Sequence, residues 1–194
     1  MIGEVLTIVA KEVSTYINKQ MKVSSSKKCV ILNKPNNING KLDIPDNCIS
    51  LSLLNIEEEL SNRTTFVEKK VIDGKVYKQN PPININLYIM FISNFPKDYV
   101  SELNYSTKII EFFQQKGSFT SENTKGLDDL KITKLNFKLN NFSITSESSD
   151  FWSLLNEKYG QSIIYKVSMI TIQEDEKLSN TGIVKQVDIN TNKI

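Results

Sequence analysis

The stretch that most constrains this chain is Ile83–Ile92, which follows Asn80-Pro81-Pro82. Proline fixes its own φ and pushes the residue before it into extended backbone, so the chain enters this stretch already drawn out. Ile83-Asn84-Ile85-Asn86-Leu87 alternates apolar and polar, the period of a strand with one buried face. Tyr88-Ile89-Met90-Phe91-Ile92 is apolar on both sides. A sheet covered at one end by a helix gives that pattern.

Two long helices can supply the cover. Over residues 2–21, Ile2, Leu6, Val9, Val13 and Tyr16 fall at helical spacing, with Lys11, Glu12 and Lys19 left for the other side, until Ser24-Ser25-Ser26 interrupts. Over residues 97–116, Tyr99, Leu103, Ser106, Ile110 and Phe113 trace one stripe, which Tyr105, Ile109 and Phe112 widen. Lys116-Gly117 supplies the stop. A third, short helix is expected over Phe151–Tyr159, capped by Ser148-Ser149-Asp150 and closed by Gly160. Trp152 and the pair Phe112-Phe113 then read as core residues.

Further strands are expected at Cys29–Leu32, Ile49–Leu53, Leu135–Leu139 and Ile163–Ile170. Ile49-Ser50-Leu51-Ser52-Leu53 alternates cleanly, so one face is expected buried and the other to carry hydroxyls. Between Thr64 and Gln79, Asp73-Gly74 separates two β-prone segments, a strong signal for a tight hairpin. Glu68, Lys69, Lys70 and Lys75 charge this hairpin, which is expected to project. The element order predicts an α+β fold, a mainly antiparallel sheet packed with about three helices. The domain is expected over 1–172, with an extended arm over 173–194. Within the arm, Ile183-Val184-Lys185-Gln186-Val187-Asp188-Ile189 is β-prone but thinly apolar.

The chain contains no histidine, which removes Ser-His and Cys-His nucleophiles, most zinc sites and histidine bases. Lys plus Arg is 24 against 22 acidic residues, too even for a nucleic-acid footprint. Cys29 and Cys48 read as small buried hydrophobes, with a disulfide as the other reading. Lys11 and Glu12 break any signal-like stretch, and no apolar run reaches the roughly 20 residues that span a bilayer. Folding in a reducing cytoplasm and no membrane insertion are therefore expected. Glu57-Glu58-Glu59 could hold a cation or act as acid and base. On a strand, however, Glu57 and Glu59 point one way and Glu58 the other. With Arg63, Glu57 and Glu59 read as intersubunit salt bridges or a turn cap. No catalytic residue, metal or cofactor is expected.

Four segments in order resemble the cap, or tube-terminator, family of phage-tail-like contractile injection systems: Ile49–Glu59 with Asn62-Arg63, Asn80–Phe91, Ile109–Lys116 with Phe119-Thr120, and Phe151–Leu155 running through Lys158-Tyr159 to Ser162–Val167. The chain departs from the family at Asn156-Glu157, where glycine often precedes the Lys-Tyr pair, and at Gln161, where proline is common. The resemblance implies a structural subunit without an active site, in a hexameric ring seated on the last ring of an inner tube. Its partners would be the tube protein and the sheath protein, whose last layer it helps to fix. It would assemble in the cytoplasm into a particle that is released or anchored. On that basis Phe66, Lys69, Lys70, Asp73, Gly74, Lys75 and Tyr77 are expected to face the tube or a neighbouring subunit. Ile183, Val184, Val187 and Ile189 are expected to add as a strand to the sheath. The competing readings are a partner- or ligand-binding α+β module and a carboxylate-based metal-dependent hydrolase.

Overall fold

Ile83–Asn94 forms one continuous strand and lies third in a six-stranded sheet. The computed structural model describes residues 1–23, 29–34, 44–62, 68–72, 75–79, 81–140, 162–172 and 179–181. In chain order the elements are α1 (Ile2–Gln20), β1 (Val30–Leu32), β2 (Cys48–Glu58), β3 (Glu68–Ile72), β4 (Lys75–Gln79), β5 (Ile83–Asn94), α2 (Tyr99–Gln115), β6 (Ser118–Thr120), β7 (Lys134–Leu139), β8 (Ser162–Ile172) and β9 (Ser179–Thr181). Short 3-10 turns occupy Leu60–Asn62 and Asp128–Leu130. The fold is α+β, with two helices among the described residues and a mostly antiparallel sheet. The third expected helix, Phe151–Tyr159, lies outside the described residues.

The chain divides into two compact units. The first, residues 1–57 and 85–170, holds the sheet in the order β1-β2-β5-β8-β7-β6. β1 runs parallel to β2, while β6, β7 and β8 form an antiparallel meander, with Phe137 opposite Val167 and Phe119 opposite Leu135. The odd residues of β5 (Ile85, Leu87, Ile89, Phe91) join a core with Val5, Val9, Val13 and Ile17 of α1 and Ile109, Phe112 and Phe113 of α2. Met90 and Ile92 turn the other way, into a smaller cluster with Ile44 and Ile164. The doubly apolar half of β5 therefore has two covers. Helices cover one face and the segment around Ile44 covers the other, held by Asn94 Nδ2 donating to the Ile44 carbonyl at 2.7 Å.

That second cover corrects the reading of β2. Ser50 and Ser52 are as buried as Ile49 and Leu51, at 0 and 1 % exposure. Their hydroxyls are satisfied internally, since they lie 3.3 Å apart and Ser52 Oγ donates to the Asn33 carbonyl at 2.7 Å. A buried hydroxyl with a partner is tolerated where an orphan would not be. The alternation marked two chemistries, not one wet side.

α1 buries the expected face. α2 starts where Asp98 caps it, accepting from the Ser101 amide at 2.9 Å and the Ser101 hydroxyl at 2.6 Å. The Ser101 hydroxyl, then its amide, hold the Asp98 carboxyl below the usual carboxylate range. Its buried face is rotated from the expected stripe. Of that stripe, Phe113 is buried and Ser106 meets Ser93 Oγ at 3.2 Å, whereas Tyr99, Leu103 and Ile110 are exposed. Aromatic packing fixes the rotation: the Phe113 ring lies 4.3 Å from that of Tyr165 and 4.8 Å from that of Phe137, and Phe112 lies 5.3 Å from Tyr16. Burial in this nest pushes the Tyr165 phenol up to about 12. Cys29 is buried and Cys48 half-buried, and neither forms a disulfide.

The second unit, residues 58–84 and 171–194, carries a three-stranded antiparallel sheet in the order β3-β4-β9. β3 pairs with β4 from Glu68↔Gln79 to Ile72↔Lys75, leaving Asp73 and Gly74 as the two linking residues. β9 pairs with the outer edge of β4, Thr181 opposite Val76 and Ser179 opposite Lys78. Part of the expected arm is thus a strand on the chain's own hairpin.

Candidate functional site

Backbone pairing builds the hairpin sheet. Its three strands are short, and β9 is a run of Ser, Asn and Thr with no apolar pattern, so ladder hydrogen bonds define it. Of the residues expected at the tube or neighbour interface, Lys69 and Lys70 lie on β3 and Lys75 and Tyr77 on β4, with Lys70 opposite Tyr77. Phe66, Asp73 and Gly74 lie outside the described residues, as do Ile183, Val184, Val187 and Ile189 of the expected sheath-contact arm.

The acidic run at the end of β2 separates into distinct local roles. Glu57 Oε1 accepts from Asn55 Nδ2 at 3.1 Å. Glu59 Oε1 accepts from the Ser61 amide at 3.1 Å, so it caps the 3-10 turn Leu60–Asn62. In the same unit the Glu59 amide donates to the Asn84 carbonyl at 2.8 Å, and Thr171 Oγ1 donates to Asn84 Oδ1 at 2.8 Å. Arg63, the third member of the expected salt-bridge set, lies outside the described residues. Among the described residues no three His, Cys, Asp or Glu side chains stand together as a metal site requires. No described helix is long and apolar enough to cross a membrane.

Sequence reasoning missed one surface. Turning α2 by its true face puts Tyr99, Val100, Leu103 and Ile110 outward, at 59, 67, 39 and 40 % exposure. Val100, Leu103 and Ile110 recur at i, i+3 and i+10, so a second helical stripe was available in the sequence. It was masked because the first stripe already accounted for Leu103 and Ile110. Lys108 flanks it, its Nζ 2.7 Å from Glu111 Oε2, and that hydrogen bond raises the lysine above its ordinary range.

This arrangement offers strand edges, an apolar helix stripe and a charged hairpin, which are means of joining protein surfaces. The chain is similar over its full length to a structure described as the sheath/tube terminator, in the extended state, of an extracellular contractile injection system, PVC, with a TM-score of 0.64 and 13% identity. At that identity the likeness is one of fold, and this chain spans 64% of that protein's length. The tube-terminating cap of the anti-feeding prophage is also similar, over 91% of this chain and 59% of its own, with 16% identity and a TM-score of 0.49. Among curated proteins we find no match. The sequence from residue 4 to 186 matches the family described as the Pvc16 N-terminal domain. With nearly the whole length matched, the chain belongs to the Pvc16 N-terminal domain family.

Proposed function

We propose that this chain ends the inner tube of a contractile injection system, as one subunit of a hexameric ring that also helps fix the last layer of the sheath. The observation that carries the reading is a fold aligned over 100% of the chain on a protein described as a sheath/tube terminator. The chemistry is consistent with it. The chain has no imidazole, which removes histidine nucleophile pairs and histidine bases. A growing tube presents the same unfinished surface six times, and a closed ring matches it by repeating one modest contact without open-ended addition. In this reading the hairpin β3–β4, through Phe66, Lys69, Lys70, Asp73, Gly74, Lys75 and Tyr77, meets the tube or the next subunit. The arm 173–194 meets the sheath, with Glu57, Glu59 and Arg63 at subunit boundaries. The ring assembles in the cytoplasm and acts by binding, with no bond broken.

Co-expression with the matching tube and sheath proteins, followed by imaging of particle ends, tests it. Particles of uniform length with sixfold density from this chain at one end are expected. A variant lacking Lys69–Lys78 is expected to fold but to leave ends uncapped. Normal capping by that variant removes the hairpin's role, and absence of the wild-type chain from particle ends removes the function.

A further inference from the structure

We propose that the outer edge of β1, together with the groove between β1 and α1, binds an extended strand of a partner chain, one that is aliphatic at alternate positions and carries carboxylates. The groove has a volume of about 840 Å³. One wall is α1, with Ala10, Lys11 and Lys19, and the other is β1 with Val23 nearby. The walls are pinned to each other at Cys29. Its amide donates to Ser14 Oγ at 3.1 Å and its thiol to Asn18 Oδ1 at 2.6 Å. The groove is a fixed feature of the first unit.

The backbone of β1 decides what fits. The Cys29 carbonyl accepts from the Ile49 amide at 2.8 Å, and the Asn33 amide donates to the Leu51 carbonyl at 3.1 Å. Residues 29 and 33 therefore turn their polar groups toward β2. By the parallel ladder's alternation, Val30 and Leu32 turn theirs away. β1 is the first strand in the sheet order, so among the described residues nothing pairs with that outer edge. Two amides and two carbonyls on an edge beside an apolar floor are a template for one more strand. Leu32, 44% exposed, extends the floor outward.

Charge selects the strand. Lys11 and Lys19 are exposed on the groove side of α1, and neither forms an ion pair among the described residues. The nearby acids are engaged elsewhere, Glu12 with Lys116 at 2.8 Å and Glu4 with the amino terminus at 2.6 Å. Eight helical residues rise about 12 Å, close to the roughly 13 Å between residues four apart on an extended strand. Two carboxylates at that spacing would each meet a lysine.

The test uses the isolated chain and a labelled peptide, Thr-Glu-Val-Ile-Val-Glu-Thr, read by fluorescence anisotropy at low salt. It is independent of particle assembly, so a negative result leaves the capping proposal standing. Binding is expected to weaken at least tenfold when both glutamates become lysines, and at least tenfold when the two valine nitrogens are methylated. Leu32→Pro removes an outward amide while sparing the ladder to β2, and it is expected to weaken binding by the same factor. Lys11→Glu with Lys19→Glu is expected to reverse the preference between the acidic and basic peptides. Undetectable binding of the acidic peptide, equal binding of the methylated or the basic one, or full binding by a folded Leu32→Pro chain overturns the proposal. If Leu32→Pro does not fold, the methylated peptide on the wild-type chain decides.

Discussion

Lys116 follows the last turn of α2, where helix carbonyls run out of partners and a cation is favoured. Its Nζ lies 2.8 Å from Glu12 Oε2 on α1, 2.8 Å from the Asn123 carbonyl and 4.6 Å from the centre of the Phe119 ring. One side chain thus ties α1, α2, β6 and the loop after β6. The pair is partly exposed, 21% for the lysine and 31% for the glutamate, so its Coulomb energy is screened and small. The carbonyl and the ring contribute the rest. Lys116→Met keeps an apolar stem over Phe119 and is expected to cost about 1–2 kcal/mol in urea unfolding. Glu12→Gln, which leaves the carbonyl and the ring in place, is expected to cost less than about 1 kcal/mol. Equal costs would mean that the ion pair dominates. In the sequence Lys116 is legible only as a helix stop beside Gly117. Its partners lie 104 residues back and 7 residues on, a reach that no local pattern encodes.

The extent of α2 is legible in the sequence and its orientation is not. Tyr99, Val100, Leu103, Tyr105, Ile109, Ile110, Phe112 and Phe113 cover most of the helix circumference, so two overlapping stripes fit equally well. The structure chooses by packing rings, which spacing cannot foresee. This separates two truncations that look alike in the sequence. Ile109→Ala empties a fully buried site and is expected to cost about 2–5 kcal/mol, whereas Leu103→Ala on the outer stripe is expected to cost less than about 0.5 kcal/mol. The reverse order, measured by thermal or urea unfolding, would put the wrong face of α2 on the sheet. Other elements divide along the same line. β5 and the β3–β4 hairpin are legible because proline, alternation and Asp-Gly act within a few residues. The burial of Ser50 and Ser52 is not, because Asn33 and the segment around Ile44 provide the cover. β9 is invisible for a different reason: Ser179-Asn180-Thr181 carries no apolar alternation that could mark it as a strand. At the acidic run, local geometry was legible as far as a turn cap at Glu59, while any subunit contact depends on a surface the sequence does not contain.

Among the described residues, both apolar clusters lie within residues 1–57 and 85–170, the first unit. Stability should therefore concentrate there, since cooperative units follow buried apolar contacts. β9 contributes ladder bonds to β4 through three residues. Truncation at Glu174 removes β9 and everything after it but leaves β8, which ends at Ile172, complete. For a chain of this size 1 kcal/mol shifts the melting temperature by roughly 2–4 °C. The truncated chain is accordingly expected to melt within about 2 °C of the full one. Amide exchange should quicken among Val76, Tyr77 and Lys78, which oppose β9, while α1 and β5 stay protected. A loss well beyond about 4 °C would show that the C-terminal residues support the body. In particles, the capping proposal adds a second readout. The truncated chain should still end the tube, because the hairpin remains, yet the sheath should detach more readily, because Ile183, Val184, Val187 and Ile189 are gone. Sheath held as firmly by the truncated chain as by the full one would remove the arm from the sheath contact and leave that task to a surface of the body, such as the outward stripe of α2 or the edge of β1.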